Sequence, residues 1–215
     1  MGFWDFSWLR PRQGSSEVPG EPAAPPPSPL PPEPVSARLS PASDRFHACL
    51  AEVFGQEGGF ADHPQDPGGA TMMGITRATL SDWRGYQVSE AEVRALTRAE
   101  AEAIYRARYW GTLRCDELPR GVDLMVFDFG VNAGPARAAR LLQTALDVAA
   151  DGIIGPVTLA AARRADVPAL LDRMARERAA YYRSLQTFST FGKGWLRRTE
   201  EVRLAALRMA GSAAA

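Results

Sequence analysis

The chain has 215 residues with 25 basic and 25 acidic side chains, so its formal charge is zero and no global field recruits nucleic acid or an anionic membrane. Apolar residues make up 46% of the sequence, as in an ordinary globular protein, and no run approaches the roughly 20 apolar residues of a membrane-spanning helix. The two cysteines, Cys49 and Cys115, stand far apart without a CxxC or a histidine cluster, which argues against a zinc site and a disulfide-dense scaffold and leaves two buried thiols or one bridge.

The opening segment, MGFWDFSWLR, puts Phe3, Trp4, Phe6, Trp8 and Leu9 ahead of the first positive charge, whereas a secretory signal has its charges first. So short an aromatic tail is a candidate for membrane-interface or partner contact, against the plainer reading of a disordered terminus. Eleven of the seventeen prolines lie between Pro11 and Pro41, and residues 11–42 read as an extended spacer that cannot form a core. Ser43 then stands where it would cap a helix to about Phe54, with Phe46, Leu50, Val53 and Phe54 on one side and glycines ending it.

Farther on, Ser89 with Glu92 and Thr97 with Glu100 have capping-box spacing, and the second pair opens a helix through Ile104, Tyr105 and Trp110. Leu118 to Val131 is almost continuously apolar and reads as a buried helix, with a strand left open by periodicity. Pro135 and Pro156 each follow a glycine and suit the first turn of a helix. Asp166 caps a long segment to about Phe188, and a last helix runs from Trp195 to Met209. No useful strand-period alternation occurs, so the body is expected to be all-α.

The chemistry concentrates in QEGGFADHPQDPGGAT, residues 56–71. If Glu57 ends the first helix, the negative end of the helix dipole and burial beside Phe60 or Phe54 both raise its pKa. A carboxyl kept protonated near neutrality is what protonation of a glycosidic leaving oxygen requires. A second carboxylate must then activate water or stabilise the cationic transition state. Asp66, in a loop held by Pro67, Gly68 and Gly69, is the first candidate and Asp62 the competitor, with the Thr71 hydroxyl placed to position water. Against this stand plain readings: a helix-end glutamate, turn chemistry at Asp66 and a surface polar His63. HExxH, GxSxG with a partnering histidine and a phosphate-binding loop are all missing from the sequence.

Taken as strings, E-G-G-F, D-P-G-G-A-T and G-I-T-R-A-T-L (Gly74 to Leu80) resemble the N-terminal signature of glycoside hydrolase family 108, the phage- and prophage-type N-acetylmuramidases of the lysozyme-like superfamily. The pair Tyr109-Trp110, L-P-R-G-V-D (Leu118 to Asp123) and F-D-F-G-V-N-A-G (Phe127 to Gly134) resemble that family's middle section. D-G-I-I-G-P-V-T-L (Asp151 to Leu159) and F-G-K-G-W-L-R-R (Phe191 to Arg198) resemble the helical peptidoglycan-binding region that follows.

The resemblance implies a lysozyme-like helical fold over about residues 45–205: a catalytic region at 43–133 and a peptidoglycan-binding region at 134–210 packed on it. It implies cleavage of the β-1,4 bond between N-acetylmuramic acid and N-acetylglucosamine, with Glu57 as the essential acid and no metal or organic cofactor. Eight residues separate Glu57 from Asp66, matching the spacing in many phage lysozymes, while the four between Asp66 and Thr71 are one fewer. Tyr109, Trp110 and Asn132 are candidate sugar contacts, with helix packing as the even alternative for the two rings. Met72 and Met73 stand where family members commonly carry a polar residue and an aromatic, which would alter stacking at that subsite. Asp128, inside an apolar helix, is expected to satisfy a buried partner.

The expected partners are peptidoglycan strands, with a holin or a secretion or phage-like particle component for release from the cytoplasm to the wall. A lytic transglycosylase and a non-catalytic wall-binding module are the competing readings.

Overall fold

The first described helix, α1 (Pro41–Phe54), begins on a proline, whose fixed φ suits the first helical position; the helix thus starts ahead of the expected Ser43, which lies within its bounds. The computed structural model describes residues 41–55, 60–61 and 71–211. The aromatic tail, the spacer up to Ser40, Glu57, Asp62, His63 and Asp66 lie outside the described residues.

Past α1 come three two-residue strands, β1 (Phe60–Ala61), β2 (Thr71–Met72) and β3 (Ile75–Thr76). They form an antiparallel sheet in the order β1-β2-β3, with Phe60 opposite Met72 and Thr71 opposite Thr76. Strands this short leave no alternation to read in a sequence, and the fold remains all-α around them. Helices α2 (Arg77–Arg84), α3 (Glu90–Arg94) and α4 (Arg98–Tyr105) follow, each opened by a hydroxyl cap: Thr76, Ser89 and Thr97 accept from the amides of Thr79, Glu92 and Glu100.

The two capping-box spacings resolve differently. Glu92 reaches back to the Ser89 amide at 2.8 Å and completes its box. Glu100 turns away and accepts both Nε and Nη2 of Arg84, at 2.9 and 2.8 Å, so its box is only half made. After Tyr105 the α-helix widens into a π-helical turn, Arg106–Gly111, which carries the neighbouring rings of Tyr109 and Trp110 into the interior.

At the centre lies α5 (Val122–Ala133), every residue of which is buried. A helix apolar all round must be covered on all sides, and α1, the π-helical turn, α6 (Pro135–Ala145), α8 (Val167–Arg183) and α9 (Phe188–Gly211) supply the cover. Its entry depends on Gly121, whose φ is 87° and where an added Cβ would stand 2.4 Å from the Ala206 carbonyl oxygen of α9. Pro135 and Pro156 start α6 and α7 (Pro156–Arg164), and the Asp166 side chain accepts from the Ala169 amide at 2.9 Å to cap α8. Helix α9 begins at Phe188, ahead of the expected Trp195, because Phe188 and Phe191 also pack on the core. Cys49 and Cys115 are both buried free thiols. Among the described residues no helix is long and apolar enough to cross a membrane.

Candidate active site

The chain leaves α1 at Phe54, Gly55 follows it, and described structure resumes at Phe60, so Glu57 belongs to the four residues 56–59 between two described ends. At the first end, Gly55 donates to the Ala51 carbonyl at 2.7 Å, and the Phe54 ring meets Tyr105 edge-on at 5.2 Å. The other end is the sheet. Its β2–β3 turn, Met73-Gly74, has positive φ at both residues, 50° and 72°, as a type I′ hairpin requires. Glycine adopts this freely but methionine is strained there, and the Tyr105 hydroxyl steadies the turn by donating to the Met73 carbonyl at 3.0 Å. G-I-T-R-A-T-L thus has a structural account: Gly74 turns the hairpin, Ile75 and Leu80 are buried, and Thr76 caps α2.

Thr71 sits on the middle strand and is only 7% exposed, while Met73 is half-buried at the turn. Trp110 is 1% exposed and lies edge-on to Phe46 and Phe127, each at 5.4 Å. Tyr109 is also buried, which pushes its hydroxyl pKa up to about 12. Asn132 is buried on α5 and its Oδ1 accepts the Tyr182 hydroxyl at 2.5 Å. All three positions are buried, the two rings among aromatic neighbours and Asn132 in this hydrogen bond.

Two buried aspartates on α5 organise what lies behind these elements. Asp123 takes Nε and Nη2 of Arg45, from α1, while its other oxygen accepts the amides of Gly121 and Leu124 at 2.7 and 2.8 Å. Burial nevertheless prevails over Arg45 and raises the Asp123 carboxyl above its ordinary range. Asp128 takes Nε and Nη2 of Arg198, from α9, on one oxygen, and Arg178 Nη1, from α8, lies 2.6 Å from the other. Here too burial pushes upward, but two guanidiniums outweigh it and hold the carboxyl below its ordinary value. Arg178 is fully buried, its guanidinium 5.2 Å from the Phe129 ring centre and 5.5 Å from that of Tyr182.

The expectation that Asp128 satisfies a buried partner is met, with two arginines as the partners. Those arginines were missed from sequence, although Arg198 falls three residues after Trp195 and four before Val202, on the buried face of α9. An aspartate in an apolar helix was a signal to look for such a cation.

The string D-G-I-I-G-P-V-T is a built turn. Gln143 Nε2 donates to Asp151 at 2.7 Å, to the Ile153 carbonyl at 3.0 Å and to the Thr158 hydroxyl at 3.2 Å, while its oxygen accepts the Gly152 amide.

Comparison with known proteins gives two adjoining family matches: Glycosyl hydrolase 108 over residues 50–134, and Predicted Peptidoglycan domain over residues 137–200. Among solved structures, the chain is similar to one titled Structure of Brucella abortus SagA, with 48% identity and a TM-score of 0.74, covering 78% of this chain and 96% of that one. No curated protein matches.

Proposed function

The chain belongs to the glycosyl hydrolase 108 family and is a glycoside hydrolase acting on peptidoglycan, and on that premise we propose that it is an N-acetylmuramidase with Glu57 as its general acid. The bond broken is the β-1,4 linkage between N-acetylmuramic acid and N-acetylglucosamine. The observation that carries the reading is the placement of Glu57 in the family's E-G-G motif, in the short stretch directly after α1 and before the sheet. Glu57 donates its proton to the leaving oxygen as the glycosidic bond breaks, and the carboxylate left behind is available to take a proton from water.

Asp66 is the second carboxylate of this proposal, and the Thr71 hydroxyl helps position the water. The middle strand that carries Thr71 is paired on both sides, to Ala61 and to Thr76, which supports a fixed backbone position for that residue. A pair about 5–5.5 Å apart would act with retention, and one about 6.5–9.5 Å apart with inversion. The residues 134–210 are proposed as the wall-binding region. Delivery to the wall through a holin or another non-classical route is part of the same reading.

The test is clearance of purified sacculi by the wild type and by Glu57→Gln. The variant should bind sacculi and melt as the wild type does, with turnover lower by about 10²–10⁴-fold, the scale of a lost general acid. A variant that clears sacculi at the wild-type rate would remove Glu57 from the mechanism.

A further inference from the structure

A side chain of the matched peptidoglycan domain reaches the last turn of α1. Arg198 lies on α9, inside the matched peptidoglycan domain, yet its Nη2 donates at 3.2 Å to the Glu52 carbonyl oxygen in the last turn of α1. Carbonyls of a last helical turn have no intrahelical donor and must be satisfied from outside, and a cation there also complements the helix dipole. The guanidinium doing this is itself held: its Nε and Nη2 are both bonded to Asp128, and Asp128 is fixed from the other side by Arg178. Arg178 donates through Nε to Tyr182 at 3.1 Å, and the Tyr182 hydroxyl donates to Asn132. One carboxylate on α5 thus gathers α8, α9 and the end of α1 into a rigid buried unit.

We propose that Arg198 is a positioning residue for the glycosidase reaction: it fixes the end of α1 from which the chain passes to Glu57, five residues beyond the carbonyl it holds. The C-terminal helices then do more than bind wall, because they complete the frame of the catalytic half. This rests on the reading of Glu57 as the acid. A planar fork satisfies Asp128 and the carbonyl together, which a lysine ammonium does with poorer geometry. A misplacement of the order of 1 Å is enough to cost about 100-fold in turnover.

The experiment measures kcat and KM on solubilised uncross-linked glycan strands for Arg198→Lys, with Arg198→Gln as the second variant if the lysine chain does not fold. Leu170→Ala, at a buried position of α8, is a control that destabilises the same helices, and Glu57→Gln is assayed beside them. All are assayed at a temperature where circular dichroism shows them native. Expected is a loss of about 10- to 100-fold in kcat for the Arg198 variant with KM little changed, while Leu170→Ala keeps wild-type kcat. Wild-type kcat in a folded Arg198 variant, or an equal loss in Leu170→Ala, would overturn the positioning role while the Glu57 reading stands. Full turnover in Glu57→Gln would overturn that reading, and this inference with it.

Discussion

Asp123 and Asp128 sit one helical turn and a little more apart on α5, both buried and both bonded to arginine, yet their carboxyls shift in opposite directions. Asp123 meets one guanidinium, that of Arg45, and burial wins. Asp128 meets two and charge wins. The difference teaches that a second guanidinium can reverse the direction in which burial pushes a carboxyl. It also separates two mechanical roles: the Asp123 pair ties the start of α1 to the entry of α5, and the Asp128 cluster ties the end of α1 to the C-terminal helices.

Breaking the larger cluster has the larger effect. Asp128→Asn leaves two buried guanidiniums without their shared carboxylate and should cost about 3–5 kcal/mol in urea unfolding at neutral pH. Asp123→Asn should cost less, about 1–3 kcal/mol, because the amide oxygen still accepts from Gly121 and Leu124 and Arg45 keeps the carbonyls of Asp116 and Leu118.

Acid should sharpen the contrast, since the two shifts have opposite sign. Asp128, depressed on folding, contributes stability that is full above the unfolded carboxylate value of about 3.9 and is lost as pH falls through its folded value. The gap between wild type and Asp128→Asn should therefore narrow on acidification below about pH 4. Asp123, raised on folding, holds its proton more tightly in the native state, so its contribution declines as pH rises from about 4 towards its folded value. The gap to Asp123→Asn should narrow in that direction, as unfolding curves taken across the acid range would show. The smallest effect is expected away from both clusters: Ser89→Ala removes one cap of α3 and should cost about 1 kcal/mol, with activity unchanged.

Much of this frame was legible in the sequence for local reasons. Hydroxyl caps at Ser89 and Thr97, proline starts at 135 and 156 and the Asp166 cap are decided within four residues, so a linear reading finds them. The apolar run around Phe127 read as a buried helix, with a strand left open by periodicity, and Asp128 within it pointed to a buried partner of unstated kind. The partners themselves, Arg178 and Arg198, come from 50 and 70 residues away and are chosen by packing. The widening after Tyr105 and the two-residue strands carry too little pattern to be seen. Tyr109 and Trp110 show the other limit: an aromatic pair reads alike whether it stacks on sugar or fills a core, and here both rings are buried.

The central claim is that this chain hydrolyses the glycan bond with Glu57 as its acid, and mass spectrometry of fragments released from purified peptidoglycan tests it most directly. Reducing N-acetylmuramic acid ends from the wild type, and none from Glu57→Gln, are the predicted result. Anhydro ends, or no fragments from a wild type that still binds sacculi, would contradict it, the first in favour of a lytic transglycosylase and the second in favour of a wall-binding protein.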